Sequence, residues 1–231
     1  LALTTGTGSI FGFLVAREAY DAALLAPMFI IMSFSYGLAF FILTLIAAYL
    51  WGDREIGELR LMRLKNLLGV FVGAVLYFVV VYHLTNLYIT QHHGVERFIL
   101  LDGGIYTQMF WIGQILVGSI IPLFLIYAPP FQKSKYAVTA ASILVLIGGL
   151  FQVYVIVIGG QAYPMNMFPG KEVLESSFYD GVVASYVPSL PEALLGIGGV
   201  ALAMTLVAIG ARMLKVLPES LEDTVVAEGE H

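Results

Sequence analysis

Residues 136–170 read YAVTAASILVLIGGLFQVYVIVIGGQAYPMNMFPG and contain no Asp, Glu, Lys or Arg. About 20 apolar residues are enough to carry a helix across a bilayer. A run this long without a charge is the signature of a membrane span rather than of a soluble core. Working outward, the same pattern recurs in Ala22–Gly52, Asn66–Val95, Gly103–Gln132 and, more briefly, Ala193–Ala211. The whole chain of 231 residues is 59% hydrophobic and 12% charged, and its mean hydropathy is +0.90. Soluble domains carry roughly 25% charged residues. The fold class that follows is all-α: a polytopic integral membrane helix bundle with five transmembrane helices.

The expected spans are about 20–51, 65–90, 106–127, 135–159 and 191–216, together a membrane domain over 20–216. Pro27 and Pro191 fall near helix starts, where a missing N–H costs little. Pro129 and Pro130 stop the third span, and Pro122 inside it predicts a kink. Residues 1–19 read as a loop-like segment on the outer side, one that an earlier helix should feed, with an N-terminal portion lying before Leu1. Residues 160–190 form a long connection rich in Pro, Gly and aromatics, expected to fold as a cap on the outer face. Residues 217–231 are an acidic tail. No internal repeat is apparent within the five spans.

Charge sets a direction. Eight of the eleven basic residues (Arg54, Arg60, Arg63, Lys65, Lys133, Lys135, Arg212 and Lys215) belong to one side, leaving Arg17, Arg97 and Lys171 on the other. By the positive-inside rule the N-terminus of this chain lies outside and the C-terminus is cytoplasmic. The formal net charge of −5 reflects five acids in the last thirteen residues and says little about partners. No basic run suggests nucleic acid. There is no cysteine, so this chain holds no iron–sulfur cluster. Small residues in the last two spans, Gly148, Gly149, Gly196, Gly199 and Ala203 among them, predict close helix packing in lipid.

Polar side chains inside spans are costly and mark candidate sites. His83, Asn86 and Thr90 share one face of the second helix, with Tyr82 beside them. That face suits either a quinone carbonyl and a proton relay or an interhelical hydrogen-bond cluster. Gln114 and Gln152 in the third and fourth spans suit either a polar path or bonds to neighbouring helices. His92 and His93, adjacent in a connection, are expected at the surface. A b-type haem needs two axial ligands, and His83 has no second intramembrane histidine as partner, so no haem is expected. No Cys/His/carboxylate cluster has zinc-ligand spacing. No acid is expected deep in a span. Tyr163, Phe168, Phe178, Tyr179 and Tyr186 in and beside the long connection are candidates for docking a partner subunit, with a passive cap as the alternative.

The stretches Tyr154–Gly170 (YVIVIGGQAYPMNMFPG) and 176–192 (SSFYDGVVASYVPSLPE), with the opening TTGTGSIFGFLVARE at 4–18 and ALLAPMFI at 23–30, resemble the NrfD/polysulfide-reductase family of integral membrane subunits. The resemblance is nearest to its DsrP- and Hmc-type members. It implies a subunit without haem that exchanges electrons with menaquinone or another quinone in a prokaryotic inner membrane. It also implies an extracytoplasmic ferredoxin-like iron–sulfur subunit as partner, with cytochrome c, haem b and cytoplasmic iron–sulfur subunits in sulfur-metabolising systems. This chain would then be the C-terminal half of a larger subunit, with the quinone bound mainly by residues outside it. Half of a secondary transporter and a purely structural anchor are the competing readings.

Overall fold

The computed structural model describes residues 1–52, 57–132, 134–165, 182–184 and 186–214. Among these residues it is all-helical. Six principal helices follow one another: α1 (Ala2–Gly12), α2 (Leu25–Trp51), α3 (Glu58–Tyr88), α4 (Ile105–Tyr127), α5 (Lys135–Ala162) and α6 (Leu190–Met213). The last five are long and apolar enough to cross a membrane. Their outward side chains are apolar as well: α3 exposes Val70, Tyr77, Val80, Leu84 and Leu87, and α4 exposes Trp111, Ile112, Leu116 and Ile120. A helix apolar all round belongs in lipid.

The segment expected to be a loop is helical over Ala2–Gly12. Its glycines weaken helix propensity but permit close packing. A Cβ at Gly8 would stand 2.7 Å from the Ala26 Cα, and one at Gly12 would stand 2.9 Å from the Ala22 carbonyl oxygen. Packing against the start of α2 therefore outweighs local propensity. Helix α2 itself begins only at Leu25, since residues 14–24 are used in turns that bury Ala19 and Tyr20. Helix α3 starts at Glu58, before the expected Lys65, because its first two turns carry the charged residues of a membrane edge.

Pro122 sits in the first turn of a regular α-helical stretch, Ile121–Tyr127, that follows a π-helical stretch over Met109–Ile120. The change of hydrogen-bond register accommodates the proline's missing N–H. A second π-helical stretch, Val155–Gly159, lies in α5. The Ser134 hydroxyl caps α5 by accepting the Ala137 N–H at 3.3 Å. Ser189 and Glu192 form a capping box at the start of α6, both the Ser189 N–H and its hydroxyl donating to Glu192 Oε2 at 2.7 Å.

The chain divides into two compact units, one of Leu1–Leu43 with Met62–Ala184 and one of Thr44–Leu61 with Ser185–His231. The first contains the core, in which Tyr20, Leu25, Met28, Val79, Phe98 and Val155 are buried together. Within it α4 and α5 cross where Gly118 meets Gly148: a Cβ on Gly148 would fall on the Gly118 backbone. Gly149 takes the Tyr36 ring, 2.7 Å from where its Cβ would be. The small residues of α5 therefore pack as expected. Those of α6 do not find such neighbours in their own unit, since a Cβ at Gly196 or Gly199 would meet nothing within 4 Å.

A side chain at the α4–α5 crossing must force the helices apart. Gly148→Ala in the full-length protein is expected to cost about 1–3 kcal/mol, read as a lower detergent melting temperature, and Gly148→Leu to cost more. Gly196→Ala is expected to leave the melting temperature unchanged.

Candidate functional site

Between α3 and α4 the chain does not run as a simple surface loop. It folds into short helical turns, Thr90–His92, His93–Arg97 and Phe98–Asp102, that bury Val95, Phe98 and Ile99. These apolar side chains carry Glu96 in with them. Glu96 is 0% exposed.

The buried carboxylate is met on both oxygens. The Asn86 side-chain N–H donates to Oε1 at 2.9 Å, and His83 Nδ1 stands 2.6 Å from Oε2. Asn86 Oδ1 then has His92 Nδ1 at 3.2 Å. Because the Asn86 nitrogen donates to Glu96, its oxygen accepts, so His92 Nδ1 carries the hydrogen. The result is one hydrogen-bonded line, His92–Asn86–Glu96–His83. His83 Nδ1 and Glu96 Oε2 share one hydrogen bond at its end. His83 remains 13% exposed at its side chain while Glu96 is sealed. Nδ1 is committed to Glu96, which leaves Nε2 to meet a ligand.

His83 borders a narrow cleft, of a size to admit water, also lined by Met28, Tyr82, Ile99, Phe110, Gln114, Gln152 and Ile156. The His83 ring is held edge-on by Phe110, centroids 4.8 Å apart, and by Tyr82 at 5.2 Å. The Tyr82 hydroxyl is spent on the Ala19 carbonyl at 2.9 Å. Gln152 Oε1 accepts from the Tyr36 hydroxyl at 2.5 Å.

Tyr82, His83, Gln114 and Gln152 thus gather at one cleft, with Asn86 directly behind it. Thr90 is exposed and outside the cluster. His92, expected at the surface, is buried at 3% exposure because Asn86 draws it inward. His93 does lie on the surface, with Nε2 on the Leu87 carbonyl at 2.7 Å. The sequence reading did not single out Glu96: it belongs to the α3–α4 connection rather than to a span, yet the structure buries it. The sequence held a signal for it: a lone acid beside Val95, Phe98 and Ile99, just after a helix whose polar face carries His83 and Asn86.

Of the docking candidates, Phe168, Phe178 and Tyr179 lie outside the described residues. Tyr163 turns inward and packs on Phe98, centroids 5.6 Å apart. Burial and, to a lesser degree, the charge of Glu18 push its phenol above the usual tyrosine range. Tyr186 belongs to the second unit and is 41% exposed. The turn before α2 is pinned to the end of α5: the Tyr20 hydroxyl donates to the Val157 carbonyl at 2.5 Å, and Arg17 donates to the Gln161 carbonyl at 2.9 Å. Burial raises the Tyr20 phenol from 10.0 to about 12, against the opposing pull of Arg17. A raised folded-state value favours the folded chain at lower pH. This contribution is full below pH 10.0 and is lost as pH rises toward about 12.

Fold and cleft together define a multi-pass membrane protein in which a partly exposed histidine pairs with a buried carboxylate. The polysulphide reductase NrfD family model matches residues 1–165, and the chain belongs to that family. The site lies wholly inside the matched region. The chain is 29% identical to the Hdr-like menaquinol oxidoreductase integral membrane subunit of Archaeoglobus fulgidus, over 97% of this chain and 57% of that protein. It is 26% identical to a selenate reductase subunit of Mesobacillus selenatarsenatis, over 94% of this chain and 49% of that protein. To a putative dimethyl sulfoxide reductase membrane subunit of Halobacterium salinarum it is again 26% identical, over 93% of this chain and 50% of that protein. The chain therefore spans about half the length of the curated relatives it matches. No solved structure matches it.

The pairing of Glu96 sets an expected order of stability. Glu96→Leu removes the acceptor for His83 and Asn86 and should cost about 3–5 kcal/mol, measured by thermal melting in detergent. Glu96→Gln keeps an acceptor oxygen for one of them and should cost less.

Proposed function

We propose that this chain is a quinone-interacting membrane anchor of a respiratory redox complex, in which electrons pass between membrane menaquinone and an iron–sulfur partner subunit. The single observation that carries the reading is the His83–Glu96 pair at an apolar cleft. It rests also on family membership and on the name of the Archaeoglobus relative, a menaquinol oxidoreductase subunit.

The donor set fits the ligand. His83 offers a nitrogen suited to a quinone carbonyl or a quinol hydroxyl, while Met28, Ile99, Phe110 and Ile156 supply apolar walls for a ring. The cleft in this conformation has room for water but not for a ring, so headgroup entry requires its walls to part. A bound quinol supplies two electrons and two protons. Of the two protons, His83 takes one at Nε2, with Glu96 stabilising the resulting charge through Nδ1, and the other passes from the second hydroxyl to water at the mouth of the cleft. Asn86 holds the carboxylate in place, and His92 fixes Asn86. Such a positioned base adds about 10²–10⁴ in rate.

On the same reading the chain lies in a prokaryotic inner membrane with its N-terminus outside and its C-terminus cytoplasmic. An extracytoplasmic ferredoxin-like subunit would dock on the outer face beside residues 160–190, with cytochrome c and haem b subunits further out in the complex and sulfur compounds as its substrates.

In the full-length protein within its complex, His83→Leu is expected to lower quinol-analogue turnover by about 100-fold while the partner subunits still co-purify. Unchanged turnover would sink the proposal. For orientation, a fluorescent reporter fused after His231 is expected to fold on the cytoplasmic side and an alkaline phosphatase fusion there to be inactive. The reverse pattern would invert the topology.

A further inference from the structure

Gln152 borders the His83 cleft with half of its amide unused. The residue is 2% exposed, and its Nε2 is buried without a hydrogen-bond acceptor among the described residues. Its other end is fixed. The Tyr36 hydroxyl donates to Oε1, and the Tyr36 ring is seated on Gly149, where an added Cβ would strike it. Burying an amide N–H without a partner is unfavourable. Buried donors left open in this way are the exception in folded proteins.

The direction of the free N–H follows from the two clefts that Gln152 borders. One is the His83 cleft, and the other is lined by Ser35, Tyr36, Ser119 and Gly149 among others. Tyr36 borders only the second of these. Its hydroxyl therefore holds Oε1 toward that side. The amide nitrogen diverges from the oxygen across their shared carbon and is turned to the side of His83. His83 has Nδ1 committed to Glu96 and offers Nε2. Two nitrogens, one on α3 and one on α5, thus face the same narrow space, and each is anchored from behind by a second group. That space admits a water molecule, which is the size of one ligand oxygen. Met28, Ile99, Phe110 and Ile156 also line the cleft. They can take an apolar ring but cannot satisfy the amide.

We infer that Gln152 Nε2 donates to the same quinol oxygen from which His83 takes its proton, which makes Gln152 a catalytic residue of this site. The inference rests on the quinone reading above and deepens it. A hydroxyl oxygen can serve both contacts: it donates its hydrogen to His83 Nε2 and accepts the Gln152 N–H on a lone pair. As the proton moves, the O–H bond breaks and an N–H bond forms at His83 Nε2. The bonding pair stays on the oxygen as negative charge. A fixed N–H aimed at that position stabilises the charge as it develops. Gln152 neither gains nor loses a proton. The His83 side chain is 13% exposed and passes its proton to water at the mouth of the cleft once the headgroup has left. The second headgroup oxygen lies toward the mouth and meets neither nitrogen, so the two oxygens are held unequally.

That inequality is measurable in the full-length protein within its native complex. A short-chain menaquinone analogue, isotope-labelled at one carbonyl carbon at a time, is bound in its oxidised form and read by infrared difference spectroscopy. Gln152→Met keeps the side-chain length and removes the amide. It should raise the stretch of one carbonyl and leave the other unmoved, and it should lower kcat for the reduced analogue about 100-fold. Bound analogue whose stretches do not respond to Gln152→Met overturns the inference and leaves the quinone reading standing. Unchanged kcat does the same. If the variant fails to assemble, the wild-type complex decides. A cryo-EM map with the reduced analogue bound should place one headgroup oxygen within hydrogen-bond distance of both Gln152 Nε2 and His83 Nε2. A map in which Gln114 or a water takes Gln152 Nε2 while the headgroup sits elsewhere overturns the inference. A wild-type complex that neither binds nor turns over the analogue removes the quinone reading, and the inference with it.

Discussion

The structure turns on the burial of one carboxylate in an apolar bundle. Taking a charge out of water costs several kcal/mol after relaxation, and the cost is recovered only when the group is fully paired. Glu96 meets that condition through His83 on one oxygen and Asn86 on the other. The two partners come from the end of α3, so the carboxylate ties the α3–α4 connection back onto the helix that leads into it. The burial of Val95, Phe98 and Ile99 brings Glu96 to this tie, and the tie in turn holds His92 turned inward through Asn86.

A second constraint, close backbone approach, arranges the rest of the first unit. Gly118 and Gly148 let α4 and α5 touch, and Gly149 admits the Tyr36 ring. Tyr36 then reaches Gln152, and the π-helical stretches of α4 and α5 adjust which side chains face inward. In lipid no hydrophobic force drives helices together, so packing of this kind and the polar bonds between helices carry the association. The same features leave narrow polar spaces between helices. In this bundle, packing and site are thus one arrangement: the glycines that stabilise the crossing also shape the clefts beside His83.

The exposed ion pair Arg97–Asp102, at 2.6 Å, makes a useful contrast. It belongs to the same connection as Glu96, yet both side chains are more than half exposed. Water screens it, and it contributes little. Glu96 and Asp102 are both acids of that connection. Burial alone separates a structural and chemical centre from a surface contact.

The number of membrane-spanning helices was legible from the residues alone. The bilayer demands long charge-free runs, and that demand is read position by position without any knowledge of neighbours. His83, Asn86, Tyr82, Gln114 and Gln152 were legible as candidates for the same reason: polar groups in such runs need an explanation. Their grouping was not. His83 and Gln152 stand on different helices, and only the crossing of α4 with α5 beside α3 brings them to one cleft. Glu96 was missed because it sits among residues that a linear reading assigns to a surface connection. Its burial depends on how that connection folds back onto α3. The helix at Ala2–Gly12 was missed because glycine is a poor helix former in isolation, and its value as a close-packing surface exists only where another helix lies against it. Sequence by itself determined that the chain belongs in a membrane as helices. Tertiary structure decided which polar side chains meet, because meeting is a property of helix crossings and not of spacing along one chain.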